Sequence, residues 1–269
     1  MAYETILYDK REHVAILTLN RPERLNAISA ELRADVQAAV KDAHHDDAIR
    51  ALIITGMGRG FCSGADLTAA ASALRGTLPP PTSQIERLDE DGWVGRWAKM
   101  FHRFDKPVIA AVNGIAAGAG MSTALAADMR VGSEQARFKT VFIERSLSPD
   151  SGMSYFLPRI VGYARAADLI FTSRAVDADE AYRLGLLDRI VEDDHLLDAA
   201  IAYANEMTRW PPMAMRSAKR VLQHNTEADL DDALRYESVG LGFARKAPND
   251  VRESLLSFQE KRPPVFTGT

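Results

Sequence analysis

A run of twenty residues without a charged side chain, Val108 to Ala127, constrains this chain more than any other feature. The run is mostly Ala and Gly and contains Asn113, Ser122 and Thr123. Membrane insertion depends instead on Leu, Ile, Phe and Val, and it is opposed by polar groups. We therefore interpret the run as a buried strand, a glycine turn and a buried helix of a globular protein, and we expect no membrane association.

The composition is that of a protein with a sizeable core, since 46% of the 269 residues are hydrophobic. The 33 basic and 37 acidic side chains nearly balance, so no strong field attracts nucleic acid. The lone Cys62 cannot form an intramolecular disulfide, and the first residues are charged where a signal peptide would be apolar. We expect a cytoplasmic protein with no nucleic-acid partner.

Hydrophobic patterning places strands in the first two-thirds of the chain and helices in the last third. Apolar runs predict a hairpin over residues 3–19, strands over 51–55 and 129–131, and helices after Ser29, from about 85, over 151–161 and over 164–171. Beyond Asp177 every amphipathic stretch has helical spacing. We therefore predict an α/β core over residues 1–200 and a helical region over residues 201–269.

Several familiar catalytic signatures are missing. The sequence has no P-loop, no G-x-S-x-G elbow and no H-E-x-x-H motif. A loop with Gly118 follows a strand, but Thr123 stands where a dinucleotide-binding loop has its third glycine. The six histidines show no ligand spacing, and Cys62 is typical of a small buried side chain. We predict no metal site.

Two glycine-rich turns remain, residues 59–67 and 113–121, and each directly follows an apolar strand. Such turns can serve only to reverse the chain tightly. They can also present free backbone N–H groups, and a helix that begins near Ala119 adds its dipole, so that an oxyanion could be held between them. The residues alone leave both interpretations open.

Five segments are similar to the successive motifs of one protein family. They are RPERLNA at 21–27, GFCSGADL at 60–67, KPVIAAVNG at 106–114, LPRIVG at 157–162 and FQEKR at 258–262. In these segments and their spacing the chain resembles the enoyl-CoA hydratase/isomerase, or crotonase, superfamily from about residue 3 to 266. The resemblance implies an α/β spiral of ββα units with a C-terminal helical trimerisation region.

The same resemblance implies a substrate and a set of contacts. Acyl-CoA thioesters would bind, with no cofactor beyond the CoA moiety, to a homotrimer or a dimer of trimers. The oxyanion hole would be formed by the N–H groups of Ala65 and Ala119, provided that the φ of Ala119 is negative. The resemblance assigns the CoA moiety to Arg24, Ser63, Ala65, Asp66 and Leu67, and to Phe258 and Lys261 of a neighbouring subunit.

The two glutamates that hydratases of the family use are absent, since Ser122 and Phe142 stand at those positions. Neither side chain can exchange protons as a carboxylate does, so efficient hydration is disfavoured. Glu144 lies two residues further on, and in a helix it would face away from Phe142. We expect Glu144 to pair with a nearby arginine.

Asp150, in the segment SPDSGMSY, resembles the aspartate that isomerases of the superfamily use as acid/base and that dehalogenases use as nucleophile. An aspartate just before a helix is also a preferred N-cap, so a purely structural role remains open. One carboxylate can move a proton between two carbons, whereas hydration must also activate water.

The favoured function is therefore an enoyl-CoA isomerase with Asp150 as acid/base. The alternatives are a weak or specialised enoyl-CoA hydratase, a dehalogenase or hydrolase with an aspartate nucleophile, and a CoA-ester-binding scaffold without activity.

Overall fold

The structure is a computed structural model that describes residues 3–68 and 83–269. In this part of the chain, strands form a six-stranded and a three-stranded sheet. The larger sheet contains, in spatial order, β1 (Ile6–Arg11), β2 (Val14–Leu19), β3 (Ala51–Gly56), β5 (Val108–Val112), β7 (Met129–Ser133) and β9 (Arg189–Val191). The smaller contains β4 (Gly60–Cys62), β6 (Ile115–Ala117) and β8 (Arg137–Lys139).

Helices connect and cover these sheets. They are α1 (Ala30–His45), α2 (Gln84–Arg87), α3 (Gly92–His102), α4 (Ala119–Ala126), α5 (Met153–Val161), α6 (Tyr163–Thr172), α7 (Ala178–Leu184), α8 (Leu196–Thr208), α9 (Pro212–Asn225), α10 (Leu230–Ala244) and α11 (Pro248–Glu260). Strands β1 and β2 pair antiparallel, which confirms the predicted hairpin, and the other pairings between these strands are parallel.

The chain repeats one order of elements. Residues 108–126 form β5, β6 and α4, and residues 129–161 contain β7, β8 and α5 in the same order. In each repeat a strand of the larger sheet precedes a strand of the smaller sheet and then a helix. This repetition confirms the spiral of ββα units that the family resemblance implies.

The strands of the smaller sheet were not predicted, and neither was β9, which lies beyond Asp177 where the sequence predicts only helices. The run 108–127 contains a second strand, β6, between β5 and the glycine turn, so its interpretation as one strand and one helix was incomplete. Strands of three residues are too short to show an alternating pattern. All eight residues of α4 are buried, and no helix in the described part of the chain is long and apolar enough to cross a membrane.

The larger sheet is covered on both faces. This explains why the sequence of β3 is apolar almost throughout instead of alternating between apolar and polar residues. Leu52 and Ile54 of β3 belong to the main core, whereas Ile53 packs on the opposite face with Leu196 and Ala200 of α8. Helix α8 thus crosses residue 200, where the sequence places the boundary of the core. That division stays a prediction.

Helix α1 follows its sequence signals and is fastened at both ends. The hydroxyl of Ser29 accepts the Leu32 N–H at 3.2 Å, which confirms the predicted start. At the other end, the buried Lys106 Nζ donates to the carbonyl oxygens of Ala43 and Asp46, at 2.7 and 2.8 Å. Burial lowers the pKa of Lys106 to about 8. The KPVIAAVNG segment thereby ties α1 to β5.

A buried hydrogen bond joins α3 to α4. The indole N–H of Trp97 donates to Thr123 Oγ1 at 2.7 Å, and that hydroxyl donates to the Ala119 carbonyl at the same distance. Because Trp97 and Thr123 are both buried, water cannot replace either partner. The contact fixes the first turn of α4 against the core.

We expect Thr123→Val to lower the free energy of unfolding by about 1 to 3 kcal/mol, because it leaves the buried indole N–H without an acceptor. Chemical denaturation followed by circular dichroism measures the change. Thr172→Val is the matched control, since the Thr172 hydroxyl also donates to the carbonyl four residues earlier, that of Asp168, but on an exposed helix face. Equal losses in both variants would contradict the role given to the indole contact.

Candidate functional site

A cleft of about 360 Å³ lies where the two glycine-rich turns meet. Its walls are formed by Ser63, Gly64, Ala65, Leu67, Ile115, Ala117, Gly118, Ala119, Lys139, Val141, Phe142, Glu144, Arg145, Leu147 and Asp150. The cleft therefore contains both predicted oxyanion donors and the predicted acid/base. A larger cavity of about 870 Å³ lies between α3, α5 and α9, and none of the predicted site residues lines it.

The first turn holds Ala65 in an extended segment beside Ile28. The Ile28 N–H donates to the Gly64 carbonyl at 2.8 Å, and the Asp66 N–H donates to the Ile28 carbonyl at 3.1 Å. Successive peptide groups of an extended chain point to opposite sides, so the Ala65 N–H faces away from Ile28. Among the described residues it has no acceptor.

The second turn presents Ala119 as the first residue of α4. Gly118 has φ 51° and ψ −124°, a conformation of turns that favours glycine, and its N–H donates to the Lys139 carbonyl at 3.0 Å. Ala119 itself has a negative, helical φ, as its proposed role requires. The first N–H groups of a helix lack internal partners, and the Ala119 N–H meets no acceptor within residues 3–68 and 83–269.

The two turns touch each other. A Cβ at Gly64 would lie 2.8 Å from the Ala117 carbonyl oxygen and 3.4 Å from the Ala119 nitrogen. Gly64 also has a φ of 95°, which side chains rarely adopt. Glycine at this position lets the two free N–H groups converge on one small volume.

Asp150 lies in the bend that leads into α5. The N-cap residue of α5 is Gly152, and no side chain caps this helix, so the N-cap role that the sequence left open for Asp150 is wrong. Asp150 Oδ1 accepts the Ser151 hydroxyl at 3.0 Å. Burial raises the pKa of the Asp150 carboxyl, and the Ser151 hydrogen bond opposes this rise. A half-buried carboxyl of this kind can take up and return a proton.

Of the two positions at which hydratases carry glutamates, Phe142 lines this cleft, whereas Ser122 contacts Asp150 without lining the cleft. Ser122 is 1% exposed, and its hydroxyl donates to the Asp150 carbonyl at 3.3 Å. Phe142 is 3% exposed and forms part of the apolar wall. Neither Ser122 nor Phe142 can exchange a proton at neutral pH as a carboxylate does.

The expectations for Glu144 were wrong in two respects. Residues 143–145 form a single 3-10 turn rather than part of an α-helix, and Glu144 lines the same cleft as Phe142. Its partner is a lysine, not an arginine, because Glu144 Oε1 lies 2.7 Å from Lys139 Nζ. The hydrogen bond from Lys139 lowers the pKa of Glu144.

The residues assigned to CoA lie at different distances from the cleft. Ser63 and Leu67 line the cleft, whereas the carboxylate of Asp66 is paired with Thr68 and Arg21. The hydrogen bonds from Thr68 and Arg21 lower the pKa of Asp66 to about 2. Arg24 is exposed, and its carbonyl accepts the Ser63 hydroxyl at 3.2 Å. The CoA contacts of these residues stay predictions.

Phe258 and Lys261 lie at the end of α11 and do not line the cleft of their own chain. Phe258 is 86% exposed, and Lys261 follows the helix with a positive φ of 54°. This placement is compatible with the implied contact from a neighbouring subunit, which stays a prediction.

Cys62 is fully buried, as the sequence predicts, and burial raises the pKa of its thiol to about 12. Its Sγ donates to the Asn26 carbonyl at 3.2 Å. The described part of the chain holds no group of three His, Cys, Asp or Glu side chains that could bind a metal ion.

Sequence reasoning missed two contributors to the site. Asn26 is fully buried, and its amide nitrogen donates to the carbonyls of Met57 and Gly60, which fastens the RPERLNA segment to the first turn. Asn26 belongs to the RPERLNA motif, and that motif was the signal by which the sequence could have identified it. Val141 lines the cleft with a φ of 57°, and nothing in the sequence indicates that conformation for a β-branched residue.

Comparisons with known proteins agree with this geometry. The family model described as enoyl-CoA hydratase/isomerase matches residues 9–269. The 1,2-epoxyphenylacetyl-CoA isomerase of Escherichia coli is 37% identical over 265 residues, which cover 98% of this chain and 99% of that protein. A probable enoyl-CoA hydratase of Mycobacterium bovis is 37% identical over 266 residues, covering 96% of this chain and 90% of the relative.

Solved structures show the same fold. The enoyl-CoA hydratase from Bacillus anthracis superposes with a TM-score of 0.88 at 31% sequence identity, over 99% of this chain and 100% of that one. The family match, the curated relatives and the structural neighbour all span nearly the whole chain. The chain therefore belongs to the enoyl-CoA hydratase/isomerase family of enzymes, within the crotonase superfamily.

Proposed function

We propose that this enzyme is an enoyl-CoA isomerase that moves a double bond along the acyl group, with Asp150 as its acid/base. The observation that carries the proposal is that a half-buried carboxylate lines the same small cleft as two backbone N–H groups that have no acceptor in the described part of the chain. The carboxylate can move a proton, and the N–H groups can stabilise the charge that develops when it does.

The reaction requires both parts. Removing a proton next to an enoyl thioester places negative charge on the thioester oxygen, which becomes an enolate. In the proposed complex the N–H groups of Ala65 and Ala119 donate to that oxygen, and one donor of this kind is typically worth about 3 kcal/mol in other enzymes. Asp150 takes the proton from one carbon and returns it to another, so that the enzyme ends the cycle unchanged.

The surroundings of Asp150 favour isomerisation over hydration. Hydration needs a group that activates water and a group that protonates carbon, whereas Ser122 and Phe142 occupy the positions of the hydratase glutamates. Glu144 is paired with Lys139, which holds it ionised. Asp150 is therefore the carboxylate best placed to exchange protons.

The names of relatives support two candidates. The Escherichia coli relative is named as an isomerase of an acyl-CoA, and the Mycobacterium bovis relative as a probable hydratase. Hydration is the second candidate for this reason, and a direct comparison of rates separates the two. A scaffold without activity would bind acyl-CoA and convert none of the substrates.

The remaining contacts complete the proposal. We assign the CoA moiety to Arg24, Ser63, Ala65, Asp66 and Leu67, with Phe258 and Lys261 supplied by a neighbouring subunit. The apolar side chains of Leu255 and Phe258 are 67% and 86% exposed on α11, as a subunit interface would require. The proposed protein is a cytoplasmic homotrimer, or a dimer of trimers, that needs no cofactor beyond the CoA of its substrate.

Asp150→Asn should lower turnover of a 3-enoyl-CoA by two or more orders of magnitude, because the amide cannot carry the proton. The change in thioester absorbance measures turnover, and calorimetry with a saturated acyl-CoA should show nearly unchanged affinity. Glu144→Gln is the matched comparison, since it removes a second carboxylate from the same cleft and should reduce turnover far less. A larger loss with Glu144→Gln would transfer the acid/base role to Glu144.

The same substitution should stabilise the fold at neutral pH. Burial raises the folded-state pKa of Asp150 above its ordinary value of 3.8, so the folded protein binds this proton more tightly than the unfolded chain does. The contribution of Asp150 to stability is therefore highest below that value and falls as the pH rises through the raised pKa. The Asn variant should unfold at a higher denaturant concentration at neutral pH.

The advantage of the Asn variant should disappear as the pH falls toward the ordinary pKa of 3.8. Paired urea titrations of parent and variant over this pH range measure the difference. A variant that is less stable than the parent at neutral pH would show that Asp150 has a structural role instead.

Initial rates of isomerisation and hydration by the parent enzyme decide between the two leading functions. With 3-enoyl-CoA and 2-enoyl-CoA substrates at equal concentration, we expect isomerisation to be much faster, because Glu144, the other carboxylate among the described residues that line the cleft, is paired with Lys139. Hydration of a simple 2-enoyl-CoA at about 10 per second or faster, a typical enzymatic rate, would make this enzyme a hydratase.

A further inference from the structure

Val141 combines a strained backbone with a contact to one of the oxyanion turns. Its φ of 57° is rare for a β-branched residue, because the side chain then crowds the backbone. Its side chain lies against Gly118, where Cγ2 would be only 3.1 Å from a Cβ built on that glycine. Strain of this kind is concentrated at functional sites, where neighbouring structure maintains it.

The neighbours of Val141 hold the strained residue in place from both sides. The preceding Thr140 is buried, and its hydroxyl donates to the Leu169 carbonyl of α6 at 2.9 Å. The carbonyl of the following residue, Phe142, accepts the N–H groups of Arg145 and Leu147 at 2.9 and 3.0 Å. The residues on both sides of Val141 are therefore held in place by hydrogen bonds.

The adjoining turn is held on both sides of Gly118. The Gly118 N–H donates to the Lys139 carbonyl of β8, and the Gly118 carbonyl accepts the Ser122 N–H of α4, both at 3.0 Å. Val141, two residues after Lys139, adds an apolar contact with Gly118 itself. Gly118 has no side chain with which to fix its own peptide plane. The peptide that it shares with Ala119 carries the second oxyanion donor.

We propose that Val141 is a positioning residue that holds the Gly118–Ala119 peptide so that its N–H points at the thioester oxygen. The proposal rests on the proposed function of the cleft. Val141 acts through Gly118 and needs no contact with the substrate. The strain at residue 141 keeps its isopropyl group against the turn, where a relaxed backbone would direct it elsewhere.

The polarisation of a bound thioester tests this directly, without any turnover. Butyryl-CoA, which has no double bond to move, is bound to the enzyme, and the infrared stretch of its carbonyl is recorded, because well-aimed donors shift that stretch to lower frequency. The variants are Val141→Gly, Val141→Ala and Val141→Ile. Melting temperature, kcat and KM are measured alongside for the 3-enoyl-CoA reaction.

Ser146→Gly is the matched control. Ser146 has a φ of 55° in the same loop but is exposed and does not line the cleft, so this variant relieves similar strain without touching Gly118. We expect Val141→Gly and Val141→Ala to lose most of the carbonyl shift and to lower kcat about tenfold or more with little change in KM, as displaced donors do. Val141→Ile and Ser146→Gly should behave like the parent.

A full carbonyl shift and normal kcat in both Val141→Gly and Val141→Ala would overturn the proposal, and so would an equal loss in Ser146→Gly. If the parent binds butyryl-CoA without any shift, the donor pair itself is refuted, and this proposal with it. A parent that shifts the carbonyl but isomerises no substrate refutes only the proposed reaction, and the infrared series still decides the role of Val141.

Discussion

The close approach of two chain reversals is the constraint on which the cleft depends. Gly64 lies so near the Ala117 carbonyl and the Ala119 nitrogen that any side chain there would separate the turns. The approach is possible because β4 and β6, which lie within these two segments, are neighbours in the smaller sheet. Two backbone donors that lie 54 residues apart in the sequence, those of Ala65 and Ala119, thereby line one small cleft. Such preorganised donors need no rearrangement during a reaction.

The chemistry of the cleft depends on the Asp150 carboxylate, which lies beside the two turns and has few partners among the described residues. Asp150 does not cap α5 because Gly152 is the N-cap residue, and within the described residues Ser151 is the only side chain that donates to the Asp150 carboxylate. The ionised Asp150 carboxylate lowers the free energy of unfolding at neutral pH, because burial disfavours its charge. The buried neighbours Ser122 and Phe142 carry no charge that would neutralise the carboxylate. Natural proteins commonly retain such costs where activity requires them. The cost is therefore an argument for a role of Asp150 in catalysis.

Much of this arrangement could be predicted from the sequence, because its signals are local. Ser29 precedes an amphipathic stretch and does begin α1, and the glycine-rich segments do form turns at the cleft. Other features depend on contacts between distant segments. The three-residue strands of the smaller sheet form because neighbouring strands align beside them. The positive φ of Val141 occurs next to Thr140, whose hydroxyl donates to the distant Leu169 carbonyl. No pattern within a short window contains that information.

Helix α8 has a consequence for how the chain can be divided. Leu196, Ala200 and Ala204 cover the outer face of the larger sheet and pack on residues such as Ile53 and Val131. A shorter chain that ended at residue 200 would uncover part of that face and leave buried apolar strands open to water and to one another. Helix α8 is therefore not an optional attachment, and a chain truncated at residue 200 should aggregate.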